Sequence, residues 1–263
     1  MTIKSTTPLN FMNFQQRSYQ LEILDGDNIP NQDLYQTLKE LRCINTWLGG
    51  HRAVILGLEE FQKKYINLFR VTRNIPIKNN LNIYEIGSGG GDNLYAIYRW
   101  AKKQHIPLNL GGIDIKETCL KFAQETYQNL DISWHTSDYR KWDFQDKRPD
   151  ITFNSLFCHH FTDEQLVEML KWMKTNSKLG FFICDLHRHS LAYYSIKLLT
   201  QWISKNYLIK NDAPLSVRRG FKKKELEILL NKAGIESYKI KWQWAFRYVV
   251  IVFNDDKILN QST

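Results

Sequence analysis

Beyond residue 80 the chain alternates short apolar runs with segments of helix length, and this rhythm constrains the fold more than any other feature. The strand-length runs are 81–86 (LNIYEI), 110–115 (LGGIDI), 131–135 (DISWH), 150–156 (DITFNSL) and 180–185 (GFFICD). Helical patterns separate them at 92–104, 116–128 and 163–177. Parallel strands need long crossover connections, so strand–helix alternation implies a parallel sheet covered by helices on both faces. The alternation breaks at an insertion, 187–220, resumes with a helix at 221–233, and ends in two adjacent strands, 236–245 and 246–254.

Ahead of this core, residues 1–30 show little regular pattern. From Asn31, Leu34, Leu38, Leu41, Ile44 and Leu48 recur at steps of three and four, the mark of an amphipathic helix that Gly49-Gly50 ends. Val54, Leu58, Phe61, Tyr65 and Leu68 mark a second helix. Inside the insertion, Leu191, Tyr194, Leu198, Trp202 and Ile203 share one helical face. That face either packs on its own domain, or forms a lid over an apolar substrate or a surface for peripheral membrane contact. The expected organisation is a helical segment at 1–77 covering the acceptor site, a core at 78–254 with the 187–220 lid, and a tail at 255–263.

Chain-wide properties narrow the class. With 263 residues and 43% hydrophobic content, the chain can bury a sizeable core. No apolar run approaches the ~20 residues of a membrane span, and the start, MTIKSTTPLNFM, lacks the apolar core of a signal peptide. Cys43, Cys119, Cys158 and Cys184 are scattered without metal-ligand spacing, so a cytoplasmic, reduced protein without a metal is expected. The net charge of +9 permits contact with nucleic acid, a membrane surface or an acidic substrate. Its tightest cluster, VRRGFKKKE at 217–225, reads as a solvated helix start.

The chemistry concentrates in NIYEIGSGGGDNLYAIYRW, residues 82–100, where a strand runs through a glycine-rich turn into a helix. No Lys follows the glycines, which excludes a phosphate-binding P-loop. A dinucleotide fingerprint requires a third Gly where Asp92 stands, and a carboxylate aimed at a pyrophosphate is electrostatically wrong. Acidic residues around the loop, Glu85 included, suit a cationic ligand.

These residues resemble class I S-adenosylmethionine-dependent methyltransferases. Glu85-Ile86-Gly87-Ser88-Gly89-Gly90-Gly91 matches the acid-x-Gly-x-Gly-x-Gly motif of that family. Asp114 stands where its ribose-binding acid ends the second strand, and Asp138 where an acid lies near the adenine after the third. The resemblance implies a Rossmann-like α/β fold: a seven-stranded, mostly parallel sheet with the last strand antiparallel and helices on both faces. It also implies S-adenosylmethionine as cofactor, held by Glu85, Gly87, Ser88, Gly89, Gly91, Asp114, Ile115, Asp138, Tyr139 and Asn154.

For the acceptor, the stretch FNSLFCHHFTDEQL lacks the proline pair that follows the fourth strand in nucleobase methyltransferases, so no nucleic acid is expected. It resembles instead the small-molecule branch acting on phenols and quinone precursors, in which a His here serves as base. Thr162 with Gln165 forms a candidate capping box for the next helix, which leaves His159 and His160 in the loop at the carboxyl end of a central strand. His187, in CDLHRHS, ends the fifth strand on the same edge. The phrases ELRCINTWLGGHR and DLHRHSLAYYSIKLLTQ are similar to a bacterial group associated with aromatic polyketide pathways. The expectation is methyl transfer to oxygen or carbon of a small aromatic hydroxylated molecule, with His159 as general base ahead of His160 and His187. An RNA methyltransferase and an inactive cofactor-binding protein are the alternatives.

Overall fold

The structure is a computed structural model that describes residues 13–26, 28–65 and 80–254. The expected tail at 255–263 and Leu68 of the second N-terminal helix lie outside the described residues. One sheet contains β1 (Leu81–Ile86), β2 (Leu108–Asp114), β3 (Ile132–Thr136), β4 (Ile151–Ser155), β5 (Gly180–Leu186), β6 (Lys239–Gln243) and β7 (Arg247–Phe253). The order is β3-β2-β1-β4-β5-β7-β6. The first five strands are parallel, and β7 runs antiparallel to both its neighbours. This is the Rossmann-like sheet expected from the sequence.

All of β4 and nearly all of β5 are buried. Strands covered on both faces read as continuous apolar runs, which is why they stand out in the sequence. Around the sheet lie α1 (Asn31–Trp47), α2 (Gly50–Lys64), α3 (Asp92–Gln104), α4 (Glu117–Thr126), α5 (Asp163–Asn176), α6 (Ser190–Ile203), α7 (Tyr207–Arg219) and α8 (Lys223–Lys232). Thr162 closes the predicted capping box with Gln165 at the start of α5. Among the described residues no helix is long and apolar enough to cross a membrane.

Two N-terminal expectations separate. The first helix, α1, borders the cavity described below through Leu34, Leu38 and Leu41. In contrast, α2 is part of the central core: Val54, Leu58 and Phe61 are buried beside Phe182 and Val249. A Cβ at Gly57 of this helix would stand 2.4 Å from the Phe182 ring, so the absent side chain sets how closely α2 approaches the sheet. Glu60, also on α2, is pinned by Lys63, Lys239 and Lys241.

The insertion forms two helices rather than one amphipathic segment. Leu191, Tyr194, Leu198, Trp202 and Ile203 of α6 form an outward-facing row; all five are exposed, Trp202 to 82%. The opposite side of α6, with Ala192, Ile196 and Leu199, borders the cavity. The basic cluster divides as well. Lys223 and Lys224 are solvated, whereas Arg219 is 2% exposed and engages buried carboxylates.

The chain turns in opposite directions from β1, to β2 on one side and β4 on the other. Such a reversal opens a crevice at the carboxyl ends of the two central strands, where open α/β sheets take their ligands. The core behind it is strongly coupled: the Phe182 ring stacks on Phe153 at 4.9 Å with a 10° interplanar angle. Phe182→Ala is expected to destabilise the fold by about 3–5 kcal/mol, read as a lower urea midpoint with an unchanged slope.

Candidate active site

The crevice widens into one cavity of about 870 Å³. Small-molecule sites span roughly 300–1,000 Å³, so this volume lies near their upper limit. The glycine-rich turn forms one end and the His159–His160 loop the other. Apolar side chains of α1 and α6 wall the space between.

At the turn, Gly87, Gly89 and Gly91 have φ of 70°, 50° and 76°, the left-handed region that glycine adopts without steric cost. A Cβ on Gly87 would lie 2.2 Å from the Phe157 ring, and one on Gly91 2.4 Å from Trp134. A Cβ on Gly89 would meet nothing within 4 Å. Two of the glycines thus permit close packing, and the third leaves a cradle open beside the cavity.

Three polar side chains lie close to this cradle. Asp114 accepts the Gly89 N–H on Oδ2 and the Lys116 N–H on Oδ1, both at 2.8 Å. Burial raises its pKa, partly offset by those bonds. Ser88 is buried with no partner for its hydroxyl. Glu85 is fully buried under the turn; Oε1 accepts from Asn93 Nδ2 at 2.7 Å and Oε2 has no partner. Burial pushes the Glu85 carboxyl well above its ordinary range. Ile115, beside Asp114, is 66% exposed and borders the cavity.

Five expected cofactor residues do not border the cavity: Glu85 and Gly91, which lie within the turn, and Asp138, Tyr139 and Asn154. The Asp138 carboxylate pairs with Arg140 at 2.5 Å, which holds its pKa low. Tyr139 is buried against the rings of Trp172, Phe157 and Phe161. Asn154 is fully buried, its Oδ1 accepting the Cys158 thiol at 3.2 Å and its Nδ2 facing the sulfurs of Met169 and Met173. Spacing along the strands puts them on the correct edge, but Tyr139 and Asn154 are engaged within the core and Asp138 with an exposed arginine.

At the far end, His159 and His160 occupy a short 3-10 turn, Cys158–His160. His159 is 3% exposed, and its Nδ1 donates to Asp185 Oδ1 at 2.7 Å. Its Nε2 stands 3.5 Å from Glu22 Oε1. His160 donates through Nδ1 to Asp25 Oδ1 at 2.6 Å. Arg219 closes the group, with Nη1 on Asp25 Oδ2 at 2.7 Å and Nε on the His159 carbonyl at 3.0 Å. Burial opposes a charge on His159, but the field and hydrogen bonds of Asp185 and Glu22 outweigh it and push its pKa up to about 10. A general base must first be unprotonated, and this environment favours the protonated imidazole of His159.

His187 stands apart. It does not border the cavity; its Nδ1 accepts the Trp242 indole N–H at 3.3 Å, and its ring lies 4.8 Å from Tyr248. The neighbouring Asp185, not His187, reaches across to His159. Sequence reading missed Glu22 and Asp25, which lie in a stretch without periodicity, and Arg219, which lay in a basic cluster. Two side chains hold the segment in place through its main-chain groups: Asp212 accepts the N–H groups of Ile23 and Leu24 at 2.9 Å, and Lys116 Nζ donates to the carbonyls of Leu24 and Gly26 at 2.6 and 2.7 Å.

Residues 83–180 match the protein family described as "Methyltransferase domain". No curated protein matched the sequence. Among solved structures, the chain is similar to a plantazolicin methyltransferase in complex with SAH, at 19% identity and TM-score 0.60, covering 86% of this chain and 95% of that one. A complex of that methyltransferase with a triazolic desmethylPZN analog and SAH gives 17% identity, TM-score 0.61 and coverages of 86% and 95%. Human N-acetylserotonin methyltransferase in complex with SAM gives 15% identity and TM-score 0.57, covering 86% of this chain and 56% of that one.

S-adenosylmethionine fits the glycine end. The open cradle at Gly89 admits a ligand, and the unpartnered oxygens of Glu85 and Ser88 are acceptors without donors. The second lone pairs of the Asp114 carboxylate remain for hydroxyl donors. Losing a hydrogen bond to a charged group costs about 1.5–3 kcal/mol, so Asp114→Ala should weaken cofactor binding by roughly one to two decades, measured by calorimetry with the fold intact.

The histidine end carries a pH signature. A native pKa of about 10 for His159, above the ~6.5 of an unfolded chain, means the native state holds the extra proton between those values. Its stabilisation is fully present below pH ~6.5 and is lost as pH rises toward 10. Urea unfolding should show wild type losing more stability between pH 6.5 and 9.5 than His159→Gln loses.

Proposed function

We propose that this class I S-adenosylmethionine-dependent methyltransferase transfers its methyl group to a hydroxyl oxygen of a small, largely apolar, aromatic metabolite such as a phenol, polyketide or quinone precursor. The observation that carries this reading is the single cavity joining the glycine turn to the His159–His160–Glu22 group between apolar walls. An aromatic body matches walls built from Leu34, Leu38, Ile196 and Leu199, and a hydroxyl matches the polar end opposite the glycine turn.

In this reading the 1–77 segment divides its work, with α1 and residues 21–25 enclosing the acceptor while α2 supports the sheet. The 187–220 insertion supplies the opposite wall. Bound S-adenosylmethionine supplies an electrophilic methyl on a sulfonium. The chain binds it at the glycine end, excludes water with the apolar walls and aligns the acceptor oxygen for in-line displacement. Such positioning provides much of the rate in a two-substrate transfer. His159 and His160 hold the acceptor hydroxyl, and the ionised carboxylates around them draw off its proton.

The basic surface does not favour a nucleic-acid acceptor. Its strongest cluster spends Arg219 on buried carboxylates rather than presenting it to a phosphate backbone.

Labelled S-adenosylmethionine offered with a panel of phenols, hydroquinones and structured RNA tests the reading. Label is expected in a phenolic methyl ether. With that acceptor, His159→Ala should lose ~10²–10⁴-fold in single-turnover rate, whereas His187→Ala should retain near wild-type transfer. Label in RNA, or equal losses from both substitutions, would overturn the assignment.

A further inference from the structure

The two cavity-lining histidines are oriented alike. Each commits Nδ1 to a carboxylate, His159 to Asp185 at 2.7 Å and His160 to Asp25 at 2.6 Å. In each ring Nε2 is then the nitrogen left for a ligand. The rings lie side by side with centroids 4.3 Å apart. Glu22 brings a carboxylate to the same place, and ligand atoms from Glu22, His159 and His160 all lie within 4.8 Å of one another.

We propose that Glu22, His159 and His160 form a divalent metal site at the acceptor end of the cavity, with Asp185 and Asp25 orienting its two imidazoles. A histidine whose Nδ1–H is held by a carboxylate has its tautomer fixed with Nε2 as donor to a metal, and such partners accompany ligating histidines almost invariably. Here both histidines have one. Metal–nitrogen bonds of about 2.0–2.1 Å put neighbouring ligand atoms roughly 3.3 Å apart in a tetrahedral shell. His159 Nε2 and Glu22 Oε1 already stand at 3.5 Å. Glu22 Oε1 also accepts the Ser216 hydroxyl at 2.9 Å, which holds this carboxylate toward the two imidazoles.

Charge supports the same assignment. Glu22, Asp25 and Asp185 contribute three negative charges and Arg219 one positive charge within one buried group. A divalent cation would displace the proton that this environment favours on His159 and balance the two negative charges that then remain. The donor set is two imidazoles and a carboxylate with no thiolate, which suits zinc, cobalt, iron or manganese in the divalent state.

The assignment rests on the reading that the acceptor hydroxyl reaches this end of the cavity. Three protein ligands leave a coordination position open for that oxygen. A hydroxyl bound there would be acidified by the cation and would give up its proton to the carboxylates around the site. The oxygen then forms a bond to the methyl carbon as the carbon–sulfur bond breaks, and the sulfonium becomes a neutral thioether.

Cobalt(II) is the test probe, because its visible spectrum reports coordination without any acceptor. The chelator-treated full-length protein should take up one equivalent, with absorption bands of a nitrogen- and oxygen-ligated ion. Glu22→Gln and His160→Ala should abolish the bands, and Asp25→Ala should weaken uptake by about 10–100-fold. His105→Ala, at an exposed histidine remote from the cavity lining, should bind cobalt as wild type does. S-adenosylmethionine binding, measured on every variant, verifies the fold. Wild-type protein that binds S-adenosylmethionine but no stoichiometric cobalt would overturn the site, as would uptake that survives both Glu22→Gln and His160→Ala. Absence of S-adenosylmethionine binding would instead refute the enzyme assignment, while cobalt uptake would still decide the metal site.

Discussion

Burying charge is the constraint around which this molecule is arranged. Asp185 ends the central strand β5 at 2% exposure, Glu22 is 5% exposed and His159 3%. An unpaired charge at such depth costs several kcal/mol, so each must have a partner supplied from elsewhere in the chain. The partners come from distant elements: Asp185 from β5, His159 from the loop after β4, Arg219 from the end of α7, and Glu22 and Asp25 from a segment ahead of α1. Docking that irregular segment onto α7, with Asp212 capping its N–H groups, completes the network and roofs the cavity at the same time.

The scaffold was legible because its signals are local. The strands β4 and β5 are buried on both faces and so appear as unbroken apolar runs, and α3 falls on its predicted residues because Gly91 and a left-handed His105 bound it. The glycine turn was legible for a similar reason, since left-handed backbone leaves a mark in residue type. The polar end was only half legible. His159 was visible as a histidine at a strand's carboxyl edge, but its protonation depends on Glu22, 137 positions earlier in the sequence. No period or spacing reports such a contact.

Strand position and side-chain contact are separate pieces of information. Asp138 and Asn154 lie at the correct ends of the correct strands, yet a neighbouring arginine occupies one and two methionine sulfurs with a thiol surround the other. Strand position fixes where a Cα stands, and packing decides what the side chain faces. The same holds for α6, where one helix has apolar residues on both sides. Periodicity identified the row from Leu191 to Trp202, but not that this row faces outward while Ile196 and Leu199 face the cavity.

The close contact between Gly87 and Phe157 has a further meaning. The Phe157 ring fills the space that a Cβ on Gly87 would occupy, and it lies two residues before His159 on the same short loop. One aromatic ring is thus the spacer between the cofactor turn and the polar cluster. Its thickness sets the separation between that turn and the loop, much as a shim sets the clearance between two machined parts. The spacing of the cavity's two ends therefore resides in a residue that bears no charge and donates no proton.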